Sequence, residues 1–299
     1  MLNLRRASTL GFGSLLLAAT LFAAPAGAVA TTWYVDNTGV CDNETSDSSV
    51  TPYCDIAAAL SDAGSGDVVD IGPGTYTHTS GTGGSAVAWF NSKDVDLVGS
   101  GVGVTILDGQ GAYIGIRIDA SSTDISDLTV TDGFSTGSGG GAYALNNAGE
   151  TVTFTDVEIL DSTATTSGGG LMASGSQTTT LTRVTIDGCE ALHSSGGGGG
   201  LYVASGAAVT VTDSTISNND VSGSFAIGGG ILVETNSSLT LFSSDVLLNN
   251  AGADGGGIHL SSGVLMIEDS RISGNGVWGT TDNGGGIYLL SGTATITST

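Results

Sequence analysis

The sequence is poor in basic residues, proline and cysteine. Only 6 of its 299 residues are Lys or Arg, against 29 Asp or Glu, and it contains 3 Pro and 3 Cys. The formal net charge of −23 predicts that the chain does not bind nucleic acid or anionic membranes at moderate salt. Because 39% of the residues are hydrophobic and 12% are charged, the composition also excludes the charged, apolar-poor class of disordered chains.

Residues 1–30 have the pattern of a secretory signal peptide. The basic start MLNLRR is followed by the apolar run TLGFGSLLLAATLFAA, and AGAVA offers cleavage after Ala28 or Ala30. Beyond residue 30 no apolar run is long enough to span a bilayer, so we expect no integral membrane span after the signal is removed. We predict a secreted, extracellular protein that can associate with an outer membrane or cell surface.

The cysteines agree with export. Cys41 and Cys54 bracket a short acidic segment just beyond the signal peptide, and we expect them to form a disulfide in an oxidising compartment. Cys189 has no evident partner, and we predict that it is a small buried side chain.

Glycine, in contrast, is abundant and regularly spaced. The chain contains 50 Gly, and GGG triplets begin at residues 139, 168, 198, 228, 255 and 284. Self-similarity at a period near 29 residues is the signature of a repeat architecture, so we expect one elongated body rather than two globular domains. Glycine supplies positive φ angles and lets stacked backbones approach closely.

Each repeat contains about three short runs in which apolar and polar residues alternate. The alternation places Ile231 and Ile258, which follow two of the triplets, on the inward side. The runs are too short and too rich in Thr and Val for helices, and the period does not fit a leucine-rich repeat, a propeller blade or a calcium nonapeptide roll. The remaining fold is an all-β parallel β-helix with three short strands per coil and about 29 residues per coil.

An asparagine recurs at one turn of the repeat. Asn219, Asn249 and Asn275 occupy the same position in successive units. Because Asn tolerates the left-handed conformation and stacked Asn side chains can hydrogen-bond in a row, we predict a structural turn ladder.

Several segments resemble known β-helix families. ISNN (216–219) and ISGN (272–275), each followed by GGGI, resemble the GGAI and FxxN repeats of polymorphic outer-membrane proteins over about 125–299. GDVVDIGPGTYT (66–77) and VDLVGSGVGVTILDG (95–109) look like the first coils of pectin-lyase-like right-handed β-helices. Residues 41–60 resemble the CSLREA cap of such proteins, with Ala58 and Ala59 in place of Arg-Glu.

These resemblances imply a domain plan. A cap over residues 31–65, with a short amphipathic helix in DIAAALSDA, would cover one end of a right-handed β-helix over residues 66–299. The sequence stops inside a coil, so we expect the C-terminal end to be covered by a missing segment or by another chain.

The resembling folds include polysaccharide lyases, hydrolases and esterases, but the residues of this chain favour a non-catalytic protein. Only four basic residues follow the signal peptide, and the NTD, GHG and WIDH motifs of such enzymes are missing. His78, His193 and His259 occupy unrelated repeat positions without metal-ligand spacing. We therefore predict an adhesin-like protein that recognises an extracellular glycan or protein surface, with a polysaccharide lyase or glycoside hydrolase second and a passive spacer third.

Two columns of side chains are candidate binding sites. The first is the outward column after the glycines, in which Tyr143, Tyr202, His259 and Tyr288 could contact a ligand, or simply support one another across coils. The second is an acidic column. Stacked carboxylates repel one another unless they are solvated, paired with Arg183 or bridged by a cation. Asp127 and Asp156 are the candidate Ca²⁺ ligands, and we expect no other cofactor.

Overall fold

The computed structural model describes residues 30–43, 51–79, 85–204, 206–279 and 283–299. The predicted signal peptide lies outside these ranges except for its last residue. No helix within them is long and apolar enough to cross a membrane.

Short strands and one helix make up the described chain. In chain order the first elements are β1 (Thr32–Val35), α1 (Ile56–Asp62), β2 (Val68–Ile71), β3 (Gly74–Thr77), β4 (Ala86–Asn91), β5 (Asp96–Val98), β6 (Thr105–Asp108), β7 (Ile114–Asp119), β8 (Thr123–Thr131) and β9 (Phe134–Ser135). The central elements are β10 (Ala142–Asn146), β11 (Thr151–Leu160), β12 (Thr163–Ala164), β13 (Leu171–Gly175), β14 (Thr178–Asp187), β15 (Glu190–Ala191), β16 (Leu201–Val203), β17 (Ala208–Thr212), β18 (Thr215–Ser217) and β19 (Asp220–Val221). The last elements are β20 (Ile231–Val233), β21 (Ser238–Phe242), β22 (Asp245–Leu247), β23 (Asn250–Ala251), β24 (Ile258–Leu260), β25 (Gly263–Glu268), β26 (Arg271–Ser273), β27 (Gly276–Val277), β28 (Ile287–Leu289) and β29 (Gly292–Thr297).

The strands form three parallel sheets, and successive strands of a sheet come from successive coils. One sheet has fifteen strands, and its main path is β1-β2-β5-β8-β11-β14-β17-β21-β25-β29. The second has eight strands, in the order β4-β7-β10-β13-β16-β20-β24-β28. The third has six, in the order β9-β12-β15-β19-β23-β27. The predicted all-β parallel solenoid, with about 29 residues per coil and three sheets, is therefore confirmed.

The core is a stack of aliphatic columns inside the coils. On the eight-stranded sheet one column pairs Leu171, Leu201, Ile231, Ile258 and Ile287 in direct register. Its first four members have no exposed surface. Because every coil places the same kind of side chain at the same height, each inward residue is covered from above and below, which keeps the interior dry.

The glycine triplets have two separate functions. The first glycine of each triplet has a φ angle between 63° and 70°, a region that L side chains rarely adopt. The middle glycine lies against the neighbouring backbone, since a Cβ at Gly199 would come within 2.3 Å of the carbonyl oxygen of Asp220. The triplets therefore mark a left-handed corner followed by a close approach of stacked backbones.

The asparagines form a continuous hydrogen-bonded ladder inside the corner. Asn219 Nδ2 donates to Asn249 Oδ1 at 2.9 Å, and Asn249 Nδ2 donates to Asn275 Oδ1 at 3.0 Å. The left-handed residue is the preceding one, as Asn218 has a φ of 53°. Asn219 and Asn249 are instead buried, so the ladder depends on amide hydrogen bonds rather than on tolerance of positive φ.

Asn249→Ala is expected to lower the free energy of unfolding by about 2–4 kcal/mol, because it leaves buried partners without hydrogen bonds. The Asn249 amide accepts from Asn219 and donates to the carbonyl of Ile216. Urea denaturation followed by circular dichroism measures the loss. Asn250→Ala, at the exposed neighbouring position, should change stability little; equal effects of the two variants would contradict the buried ladder.

The helix α1 packs into the first coils as the sequence suggested. Asp55 caps its N-terminus by accepting from the Ala58 backbone N–H at 2.7 Å, and five consecutive residues from Ile56 to Leu60 are buried. Lys93 Nζ donates to the carbonyls of Leu60, Ser61 and Ala63 at 3.1, 2.5 and 2.9 Å. This cation satisfies carbonyls that a helix C-terminus leaves unpaired.

The N-terminal segment is joined to the coil stack by covalent and strand contacts. Cys41 and Cys54 form the predicted disulfide, with their Cα atoms 5.1 Å apart. β1, which lies within the predicted cap, pairs in parallel with β2 and is therefore the first strand of the fifteen-stranded sheet. Cys189 is a free, buried cysteine, as expected.

Candidate functional site

The outward column on the eight-stranded sheet is longer than the sequence predicted. Trp89 and Arg117 pair in register ahead of Tyr143, so the column begins two coils before the first glycine triplet. Its full order is Trp89, Arg117, Tyr143, Met172, Tyr202, Leu232, His259 and Tyr288.

The predicted ligand contact at His259 is wrong. Leu232 and His259 face away from the core columns but are only 3% exposed, so neither can meet a ligand at the surface. The His259 ring lies 5.1 Å from the ring of Tyr288, and burial lowers the pKa of the imidazole. Tyr143, Tyr202 and Tyr288 are partly exposed, but they do not share one uninterrupted surface.

At the N-terminal end of the column, Arg117 lies among aromatic rings. Its guanidinium carbon is 5.4 Å from the ring centroid of Trp89 and 5.5 Å from that of Tyr143. Its Nε donates to Asp119 Oδ2 at 2.7 Å, and the indole N–H of Trp89 donates to the same oxygen at 2.7 Å. The stacking and the ion pair together restrict the orientation of a side chain that is otherwise flexible.

Arg117 and Tyr143 line a cleft of about 570 Å³ on the outside of the sheet. A second aromatic pair lies beside it, where the rings of His78 and Tyr113 stack with centroids 3.8 Å apart. Burial raises the pKa of Tyr143, while the nearby charge of Arg117 lowers it and that of Asp119 raises it further. The lining that bears on recognition consists of Tyr113, Arg117, Phe134, Ser138, Tyr143 and Met172.

Comparison with known proteins agrees with this architecture. A family model described as "Right handed beta helix region" matches residues 114–299. This chain belongs to that family. Its resemblance to polymorphic outer-membrane proteins and to the CSLREA cap stays a prediction from sequence.

Two solved structures are similar to this right-handed β-helix. A pectate lyase, Pel9A, is 15% identical with a TM-score of 0.44, over 89% of this chain and 78% of that chain. A rhamnogalacturonan lyase is 13% identical with a TM-score of 0.43, over 81% of this chain and 75% of that chain. No curated protein matches the sequence. These similarities are too weak to carry an argument about activity.

Sequence reasoning missed most of the cleft of this β-helix. Of the lining residues only Tyr143 was among the predicted ligand contacts, whereas Arg117, Tyr113 and Phe134 were not. Trp89, which contacts Arg117, was not predicted either. A signal was present, because Trp89, Arg117 and Tyr143 each lie between two apolar residues at intervals close to the repeat period. Extending the column upstream of the first triplet would have found Trp89 and Arg117, but not Tyr113 or Phe134, which lie outside the column.

The backbone conformation explains why Asp recurs in the acidic column. Asp127, Asp156 and Asp213 have φ angles of 58°, 54° and 50°, and Asp is one of the few residues that tolerate this left-handed region. Asp156 is engaged by Arg183, whose Nε and Nη2 each donate to a carboxylate oxygen at 2.7 Å. Within the described ranges no three His, Cys, Asp or Glu side chains form a group that could hold a metal ion. The geometry therefore gives the calcium prediction no support.

Proposed function

We propose that this protein recognises carbohydrate chains without chemically changing them, and that the aromatic cleft is the binding site. The observation that carries the proposal is the guanidinium of Arg117, stacked between Trp89 and Tyr143 at the cleft. Aromatic faces suit the C–H faces of sugar rings, while guanidinium N–H groups donate to hydroxyl or carboxylate oxygens. Apolar walls with a few convergent polar groups are typical of ligand sites.

The signal-peptide pattern and the Cys41–Cys54 disulfide support binding outside the cell, where glycan-bearing surfaces are available as partners. The resemblance of the repeats to polymorphic outer-membrane proteins supports a role in adhesion. A protein surface is the alternative partner, since aromatic residues and Arg are also enriched at protein interfaces.

An extracellular polysaccharide lyase or glycoside hydrolase is the second candidate. His78, Tyr113 and Arg117 bring groups capable of proton transfer or charge stabilisation to the region of the cleft. A passive structural spacer is the third candidate. This role does not require an ordered Arg beside a cleft.

Tyr143→Ser is expected to lower the affinity for the best glycan by at least about tenfold, or roughly 1.4 kcal/mol, because it removes a stacking face and one of the two rings that orient Arg117. The ligand is selected with the wild type on an array of acidic and neutral oligosaccharides, and affinities are measured by calorimetry with and without Ca²⁺. Tyr202→Ser is the matched control, because Tyr202 lies in the same column but does not line the cleft.

The outcomes separate the candidates. Equal losses for Tyr143→Ser and Tyr202→Ser would assign binding to the column rather than to the cleft. If the folded wild type binds no glycan, carbohydrate recognition is overturned in favour of a protein partner or a spacer. Release of unsaturated uronate or of new reducing ends from a polysaccharide would make the protein an enzyme.

A further inference from the structure

A different face of the solenoid carries an ordered array of threonines. On the outer side of the fifteen-stranded sheet, β11, β14 and β17 each present a Thr-x-Thr pair, and β21 adds one further Thr. All of these side chains are partly exposed. We call this surface the threonine face, and it consists of Thr153, Thr155, Thr180, Thr182, Thr210, Thr212 and Thr240.

The array is regular in two dimensions. Thr153, Thr180, Thr210 and Thr240 pair directly across successive strands, and Thr155, Thr182 and Thr212 form a second column in the same register. Neighbouring strands of a sheet lie about 4.8 Å apart, and alternate residues of a strand lie about 6.6 Å apart. The hydroxyls and methyls therefore repeat on a nearly rectangular grid.

Charge is excluded from this grid although the chain is strongly acidic. Across the outward positions of β11, β14, β17 and β21 up to the corner, no residue is charged, whereas Asp156, Arg183 and Asp213 occupy that corner itself. The β-propensity of Thr favours it at outward strand positions. The uncharged patch ends at the next strand on either side, where Asp124 continues the column of Thr153 and Glu268 follows Phe242 in the column of Thr212.

The seven hydroxyls are also free to bond outward. None of them donates to or accepts from another group in the described part of the chain, whereas nearby polar side chains such as Ser214 and Ser244 are bonded to backbone. A hydroxyl can donate one hydrogen bond and accept two, so the face presents unused hydrogen-bonding capacity at every grid point.

We propose that the threonine face binds the surface of ice. The ligand that fits is an uncharged, periodic hydrogen-bonding lattice, and the surface of ice is such a lattice. The methyl groups order the water molecules between them, while the hydroxyl groups take the place of water molecules in the ice lattice. A single glycan chain fits less well, because none of the seven grid positions carries an aromatic ring and Phe242 lies only at the end of the second column.

This activity is independent of the aromatic cleft, because the two surfaces lie on different sheets. Binding to a crystal face needs contacts at several grid points at once, and the paired threonines extend over four successive strands. An adsorbed protein blocks growth of the crystal front between adsorption points, so the freezing point falls below the melting point.

The test is thermal hysteresis of the purified protein, together with its enrichment in slowly grown ice. We expect the wild type to show hysteresis and Thr182→Lys to lose it, since a hydrated charge at the centre of the grid prevents close contact. Thr163→Lys introduces the same charge on the six-stranded sheet and should retain the hysteresis. Thr182→Val preserves shape and methyl groups and should retain part of the hysteresis.

Melting curves from circular dichroism establish that each variant is folded. A folded wild type with neither hysteresis nor enrichment in ice overturns the proposal, as does full hysteresis in folded Thr182→Lys. Equal loss in Thr163→Lys would show a nonspecific charge effect and overturn the assignment to this face. Binding of an insoluble polysaccharide that is abolished by Thr182→Lys, without any hysteresis, would assign the face to glycan instead.

Discussion

Replacing Ile231 with Asp is expected to destabilise the protein by about 4–5 kcal/mol or more and to abolish cooperative unfolding of the central coils. Ile231 has no exposed surface and is paired directly with Leu201 and Ile258 in the inward column. A carboxylate there has apolar neighbours above and below and no partner to neutralise it. Thermal unfolding followed by circular dichroism measures the effect.

Ile231→Val is the control for this position, because it removes one methylene without adding charge. Its expected cost is about 1 kcal/mol. If Ile231→Asp unfolds at the same temperature as the wild type, the inward assignment of the column is wrong. The position is informative because a solenoid propagates a local defect to the coils on either side.

Gly199→Ala is expected to cost about 3 kcal/mol or more, although it adds a single methyl group. The new Cβ would lie 2.3 Å from the carbonyl oxygen of Asp220 and 2.6 Å from that of Gly229. Both are backbone atoms of the next coil, so no rotamer change can relieve the overlap. The two coils must separate, which disrupts parallel pairing on both sides of the corner.

Gly137→Ala provides the comparison, since the nearest atom to its added Cβ is a serine hydroxyl at 3.8 Å. We expect this variant to melt within a few degrees of the wild type. Chemical denaturation of both variants measures the difference in the free energy of unfolding. Similar stability of the two variants would contradict a requirement for close backbone contact at the glycine triplets.

Much of the fold was predictable because each coil repeats the same local constraints. Three patterns each indicate that successive coils stack in register. They are the triplets at intervals of 27 to 30 residues, the period-two alternation and the recurrent Asn219, Asn249 and Asn275. The disulfide between Cys41 and Cys54 was predicted from the positions of the cysteines, whereas the helix after Asp55 was implied by the resemblance of residues 41–60 to the CSLREA cap. A repeat supplies the same observation several times, so chance matches at single positions have little weight.

The candidate site was predicted only in part. Tyr143 was identified from its place after a triplet, but its partner Arg117 and Phe134 of β9 were not. His259 was expected at the surface and is buried. The alternation of a strand tells which side of the sheet a residue faces, but it does not tell whether neighbouring segments cover that side.

The sequence by itself therefore determined the parallel solenoid, its period, its inward columns and the paired cysteines, because these depend on residue type repeated at fixed spacing. Only the tertiary structure decided which outward residues are accessible and which meet across coils. It brought Trp89, Arg117 and Tyr143 together, paired Arg183 with Asp156, and left the threonine grid uncovered. These contacts join residues about one coil apart, and they depend on register and on the path of irregular corners, which no local pattern encodes.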